Sequence, residues 1–482
     1  MSYYPSEKEF IKLAKKGNVI PVYREILADT ETPVSAYLKM RDDYSYLLES
    51  VEGQEKIARY SFLGGSPSLI FKSKGKAVWI NNHRFLTQKD PLDEIKKIMS
   101  QYKFVAMKEL PRFCGGLVGY IGYDMIRFFE KIPDKNRDDL GLADSIFILT
   151  DTLIIFDHVN HKIRIISNAI LSEKENPRIA YQRATKRIEA VYKKLKRPLS
   201  YKDVEFKKAK DLNPVSNVSR HQFIEMVNKA KRYIRAGDII QVVLSQRFKA
   251  HIKNDTFAIY RRLRSLNPSP YMFYLKFKDL SLIGSSPEML LRCENGIIKT
   301  RPIAGTRRRG KDEIEDLKLE KELLNDKKEC AEHIMLVDLG RNDLGRVSRY
   351  GKVNVSDFMT VERYSHVMHI VSEVSGRLSP RKDMYDALRA AFPAGTVTGS
   401  PKIRAMEIID ELENIRRGPY AGCVGYISFS GNLDTAITIR TIIVKGRTAY
   451  IQAGAGIVAD SKPEREYRET INKAKAQLEA LG

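Results

Sequence analysis

The sequence predicts an α+β fold in which antiparallel sheets pack as a sandwich with helices on the outer faces. Short β-branched runs recur throughout, separated by glycine and asparagine turns of the kind that close tight hairpins. Helical stretches fall between and after groups of these runs instead of alternating with them one by one, which argues against a doubly wound parallel sheet. With 482 residues, 43% of them hydrophobic, the chain can bury ample core.

In the amino-terminal part, "SFLGGSPSLIFKSKGKAVWI" and "CGGLVGYIGYD" read as short strands and turns, and "PRIAYQRATKRIEAVYKKLKR" as a basic helix. The run "SIFILTDTLIIF" is too short for a membrane helix and is interrupted by Asp151, so it reads as buried strand. The segment "PLSYKDVEFKKAKDLNPVSNV" is polar and aperiodic and carries two prolines. It is the expected linker, at 196–216, between a domain over 1–195 and another over 217–482. Next comes a helix capped by Ser219, with Gln222 closing a capping box. Its apolar stripe is Phe223, Met226, Val227, Ala230, Tyr233 and Ile234, and Gly237 stops it. The strands "DIIQVVLSQRF", "LSLIGSSPEMLLRC" and, after an Asn295-Gly296 turn, "IIKTRPI" follow. A helix over "SPKIRAMEIIDELENI" is expected with Ser400 as cap and Pro401 in its first turn. "AGCVGYISF", "DTAITIRTIIV" and "TAYIQAGAGIV" complete the set of strands.

A formal net charge of +23 suggests a nucleic-acid binder, which is kept as the rival from another functional class. Against it, Lys and Arg are interspersed with Glu and Asp, as in "KDEIEDLKLEKELLNDKKE", and neither zinc-ligand spacing nor an aromatic-basic RNA motif is visible. The amino terminus shows no apolar signal core, and four cysteines in so long a chain do not make a disulfide framework, so the cytoplasm is the expected location.

Near the carboxyl end, "AGAGIVADSKPEREYRETINKAK" runs from a glycine pair into a charged helix. A dinucleotide loop would require a third glycine and a continuing βαβ unit, and neither is present. Instead Glu466 and Glu469 stand one turn apart on one helical face, and "KKECAEHIMLVDLGRNDLGRV" repeats the spacing with Glu329 and Glu332. Two such pairs suit Mg²⁺, which favours a few carboxylates plus an anionic ligand. The same spacing also suits exposed pairs bridged to neighbouring Lys or Arg, and spacing does not choose between the two.

The segments "RPIAGTRRRG", "AEHIMLVDLGRNDLGRV", "FPAGTVTGSPKIRAMEIIDELE", "RRGPYAGCVGYISF", "LDTAITIRT" and "QAGAGIVADSKPEREYRETINKA", in this order, closely resemble the chorismate-utilising enzymes, specifically the anthranilate synthase component I group. The resemblance covers about residues 215–480. It extends more thinly to "LLESVEGQEKIARYSFLG", which is similar to that group's amino-terminal regulatory motif.

The resemblance implies a Mg²⁺ held by Glu332 and Glu469, with Glu329 and Glu466 as neighbours, clamping the ring carboxylate of chorismate. It assigns carboxylate binding to the backbone of Gly454, Ala455 and Gly456. The enolpyruvyl carboxylate falls to Arg440, expected on a strand with Thr438 on the same face, and to Tyr420. Gly305 and Thr306 match contacts to the ring end. Thr396 and His369 match residues implicated in turnover, His369 in late proton chemistry, and Glu288 matches a general acid for the departing ring hydroxyl. Arg308 departs from a proline common at its position, which would loosen its loop.

Two positions discriminate among the reactions of such enzymes. Ala304 stands where aminodeoxychorismate-forming relatives carry a nucleophilic lysine, and Gln241 where isochorismate- or salicylate-forming relatives carry a lysine base. Ammonia is therefore the expected nucleophile and anthranilate with pyruvate the expected products, those other two reactions being the alternatives within the group. Cys114, Cys293, Cys330 and Cys423 lie in no nucleophile elbow, so a separate glutamine amidotransferase subunit, and with it a hetero-oligomer, is expected as the ammonia source. Tryptophan feedback is implied through Ser50, Pro270, Tyr271 and Met272.

Overall fold

The computed structural model describes residues 2–50, 59–199, 212–364 and 367–482. Two twelve-stranded sheets form the body, and every pairing between named strands is antiparallel. The first sheet runs from Val19–Leu27 at one edge to Gln241–His251 near the other. The second runs from Ile303–Arg308 to His83–Leu86. Inner faces meet in one apolar layer, where Phe273, Leu275, Leu282 and Ile443 of the first sheet pack with Val118, Tyr120, Ile148 and Tyr426 of the second. Helices cover the outside. Pro177–Leu195, Thr256–Leu266 and Pro463–Leu481 bury apolar faces on the first sheet, and Pro91–Ser100 and Met384–Ala391 on the second. The α+β sandwich expected from the sequence is the fold observed.

Both sheets mix strands from the two halves of the chain. Tyr44–Glu49 pairs with Tyr271–Phe277, and Gly116–Ile121 with Cys423–Ser428. The division at 196–216 is thus one of sequence, whereas in space hydrogen-bonded ladders run across it. Most of that expected linker, residues 200–211, lies outside the described residues, as do residues 51–58 of the expected regulatory motif.

Local signals explain most of the elements. Ser219 accepts from the Gln222 amide in a full capping box, and the helix Arg220–Arg235 ends before Gly237 at φ +82°. Asn295 at φ +51° and Gly296 at φ +75° form the two-residue turn joining Met289–Glu294 to Ile297–Thr300.

Three expected strands are instead each two strands in different sheets. "SIFILTDTLIIF" divides at Asp151 into Ser145–Thr150 of the second sheet and Thr152–Asp157 of the first. "LSLIGSSPEMLLRC" divides at Pro287-Glu288, and "DTAITIRTIIV" at residues 438–440. The last two crossings run side by side: the Ile437 amide donates to Glu288 O (3.0 Å) and the Ser285 amide to Arg440 O (3.1 Å). Ser400 also differs from expectation. Its backbone pairs with Gln241 in a short strand, so Pro401 takes the cap position of Lys402–Leu412 and no side chain caps that helix.

Candidate active site

A cleft of about 560 Å³ opens where the two crossings meet the helices Lys327–Gly345 and Pro463–Leu481. It gathers residues spread from Gln241 to Lys473. Asp326 accepts from the Lys328 and Glu329 amides and fixes the start of the first helix, so that Glu329 and Glu332 project from its opening turns. Glu466 and Glu469 come from the opening turns of the second. All four carboxylates line the one cleft. Glu332 accepts from Gln241 Nε2 (3.0 Å), and Glu469 from Lys473 Nζ (2.6 Å), which also donates to Gly454 O (3.0 Å).

Burial, reinforced by the charge of Glu332, holds the Glu329 carboxyl above its ordinary range; burial, with Glu469 adding to it, does the same for Glu466. Among the described residues no three His, Cys, Asp or Glu side chains converge into a finished metal cage. Under-neutralised carboxylates from two helices, with room left for water and an anionic ligand, are nevertheless a donor set that fits Mg²⁺.

The crossing at Pro287-Glu288 delivers Glu288, whose carboxyl is pushed up to about 8 by burial in the cleft wall. The Thr396 hydroxyl, buried with no protein hydrogen-bond partner, lies close enough to moderate that rise. Glu288 is thus a carboxylic acid that keeps its proton near neutrality. The crossing at residues 438–440 delivers Arg440 at φ +52°, so it lies between strands and not on one. Its guanidinium donates to Lys473 O (2.9 Å), while Thr438 is fully buried and does not reach the cleft.

His369, on Val367–Leu378, donates from Nδ1 to Gly305 O (2.8 Å), which leaves Nε2 as its basic atom. Burial, opposed by that bond, lowers its pKa and keeps the imidazole neutral at pH 7. Gly305 sits at φ +67° in a bulge of Ile303–Arg308, bringing Ala304 and Thr306 into the lining. Arg308 is pinned instead of loosened, pairing with Val367 along the strand and with Glu315 at 2.5 Å.

The glycine pair belongs to the strand Thr448–Ile457, well before the helix begins at Pro463. Alternation along that strand turns Gly454 and Gly456 to the cleft and buries Ala455 in the core with Val242 and Leu244. A Cβ at Gly454 would stand 2.8 Å from the Tyr420 hydroxyl, and one at Gly456 would stand 2.6 Å from Gln241 Nε2. Glycine at these positions leaves room for the Tyr420 and Gln241 side chains at the cleft wall. Lys473, Lys328 and Gln452 also line the cleft and were absent from the sequence reading. Lys473, one turn beyond Glu469 on the same helix, was detectable as an i, i+4 pair.

Ser50, Pro270, Tyr271 and Met272 lie apart from the cleft, lining a small cavity of about 70 Å³ between the sheets. The Ser50 hydroxyl is buried there without a protein partner. Of the four cysteines, Cys114 and Cys423 have thiols pushed up to about 12, and Cys293 to about 11, by burial, which leaves them inert as nucleophiles at neutral pH. Among the described residues no helix is long and apolar enough to cross a membrane.

Residues 15–479 match the family described as chorismate binding enzyme. An anthranilate synthase component 1 of Acetivibrio thermocellus is 51% identical over 99% of this chain and 98% of its own length. One from Aquifex aeolicus is 50% identical over 99% and 97% respectively. The crystal structure of anthranilate synthase component I from Streptococcus pneumoniae matches with a TM-score of 0.80 at 41% identity, covering 94% of this chain and 99% of that one. The menaquinone-specific isochorismate synthase of Escherichia coli shares the fold, with a TM-score of 0.71 at 20% identity.

Proposed function

The chain belongs to the chorismate-binding enzymes, and on that premise we propose that it is the chorismate-aminating component of an anthranilate synthase. It is an enzyme that acts on chorismate. In the reaction proposed, ammonia attacks ring carbon 2 while the ring hydroxyl departs as water. Loss of the carbon 2 proton and of the enolpyruvyl group as pyruvate then leaves anthranilate.

The observation that supports this product is the character of Ala304 and Gln241, both in the cleft lining. Neither can act as the attacking or activating amine that the alternative reactions use, so an external nucleophile is required. Glu288 donates its proton to the departing hydroxyl, a task suited to an acid that remains protonated at pH 7. His369, anchored through Nδ1, accepts the carbon 2 proton at Nε2. Arg440 and Tyr420 grip the enolpyruvyl carboxylate, with Gly454 and Gly456 leaving room beside it. Glu332 and Glu469 would hold Mg²⁺, with Glu329 and Glu466 beside it, and the bound ion would neutralise the ring carboxylate. Ammonia comes from a glutamine amidotransferase subunit, because three of the four cysteines are buried with thiols pushed up and the fourth, Cys330, lies within the helix Lys327–Gly345 with its Sγ donating to Leu324 O (3.2 Å). Tryptophan inhibits from the cavity lined by Ser50, Pro270, Tyr271 and Met272.

Incubating the chain with chorismate, Mg²⁺ and an ammonium salt at alkaline pH tests the reaction. Fluorescent anthranilate and an equal amount of pyruvate are expected, whereas isochorismate or salicylate as the product would refute it.

A further inference from the structure

Behind the cleft wall lies a buried ion pair that none of these roles uses. Arg417 is 2% exposed and Glu413 5%. The guanidinium donates to Glu413 through Nε (2.9 Å) and one terminal nitrogen (2.6 Å), to Val397 O (2.7 Å) and to Val243 O (2.7 Å). Its Cζ lies 4.9 Å from the Tyr123 ring centroid and 5.5 Å from that of Tyr420. Glu413 also accepts from the Ser245 amide (2.8 Å) and hydroxyl (2.7 Å), and that hydroxyl in turn accepts from Gln452 Nε2 (2.8 Å).

Val243, Val397, Tyr420 and Gln452 all line the cleft and come from four separate segments. One planar fork and its carboxylate thus tie together the strand floor, the turn that carries Thr396, the tyrosine wall and the strand of the glycine pair. A buried ion pair is a poor device for stability alone, because apolar side chains of similar volume commonly replace such a pair without loss. Its distinctive property is fixed geometry, supplied by a rigid set of donors.

We propose that Arg417, oriented by Glu413, is a positioning residue that sets the spacing between Tyr420 and the Thr396-Val397 turn for chorismate binding. This rests on reading the cleft as the chorismate site. The substrate carries one carboxylate on its ring and a second on the enolpyruvyl side chain, so a displaced wall loses ground-state and transition-state contacts together. The cost then falls on KM for chorismate more than on kcat.

The test compares wild type, Arg417→Lys and the double variant Arg417→Met with Glu413→Leu, measuring Tm, kcat and KM for chorismate and for ammonium. The double variant is expected to stay folded with a lowered Tm, because Val397 O, Val243 O and the Ser245 amide lose these hydrogen bonds, and to show KM for chorismate raised about tenfold or more with kcat within about threefold. KM for ammonium should be unchanged. A folded double variant with wild-type KM for chorismate would overturn the proposal. Should the double variant not fold, Arg417→Lys decides: it keeps the charge but loses the fork, so a tenfold rise in KM supports positioning and a wild-type KM refutes it. A wild-type chain inert towards chorismate would instead break the reading of the reaction, which separates the two failures.

Discussion

The cleft and the small cavity beside Ser50 border one continuous run of chain, yet they handle charge in opposite ways. Asp434 and Ala436 line the small cavity, and Ile439 and Arg440, a few residues on, line the cleft. The small cavity is balanced, two acids against two arginines. Glu49 accepts from the Tyr260 hydroxyl (2.5 Å) and Arg264 (3.1 Å), and Asp434 from Arg292 (3.0 Å) and Tyr271 (3.1 Å). In the cleft, four carboxylates, those of Glu329, Glu332, Glu466 and Glu469, face three cations, Lys328, Arg440 and Lys473, while Glu288 keeps its proton. A site that neutralises its own charge suits a zwitterion, which brings none in excess, as the proposed effector tryptophan is. A site with surplus carboxylate is one to which the proposed Mg²⁺ would bring the charge that a dianion needs.

The largest effect that would sharpen this contrast is removal of one of the charges proposed to face Mg²⁺. Glu332→Gln and Glu469→Gln should each lower kcat by roughly a thousandfold with an unchanged far-ultraviolet circular dichroism spectrum. Wild-type turnover in both would make the acidic surplus mere surface charge. Next comes Glu288→Gln, expected to cost about a hundredfold in kcat. Because the Glu288 carboxyl is held up to about 8, it is protonated and able to donate below that pH and loses the proton above it. At constant free ammonia, kcat/KM for chorismate should therefore fall as pH rises through about 8, and the glutamine variant should lack this limb. A wild-type profile without that fall would remove Glu288 as the acid.

The balanced cavity is tested by Ser50→Phe, which fills it. Tryptophan should then inhibit about tenfold less strongly while uninhibited turnover stays within about twofold, since the cleft is untouched. Unaltered inhibition would move the effector elsewhere. The smallest effect is expected from Gly454→Ala. Its new Cβ would stand 2.8 Å from the Tyr420 hydroxyl, and that side chain can shift by tenths of an ångström. KM for chorismate should rise by about threefold to tenfold with little change in Tm.

The sequence made the sandwich legible because period and turn chemistry are local. Ser219, Gly237 and the Asn295-Gly296 turn specify their geometry without distant help. What it concealed was the places where strands change sheet. A continuous apolar run looks the same whether it stays in one sheet or crosses to the other, so Glu288 and Arg440 were read within strands when they sit at crossings. The motif series did bring its residues to one cleft, apart from Ala455, which strand alternation turns into the core. Ser400 misled because a cap signature at a helix start competes with β-pairing to Gln241, and the pairing prevailed. Lys473 was detectable by spacing, whereas Arg417 was not, since nothing local says that an arginine in an irregular segment will be buried against two tyrosines.

The most direct measurement is calorimetric titration of Mg²⁺ into the chain with chorismate present, for wild type, Glu332→Gln, Glu469→Gln and the double variant. If the two glutamates serve one ion, each single substitution should weaken Mg²⁺ binding by about a hundredfold, and the double variant should be little worse than either. Losses that simply add, or Mg²⁺ binding untouched by either change, would contradict a shared ion.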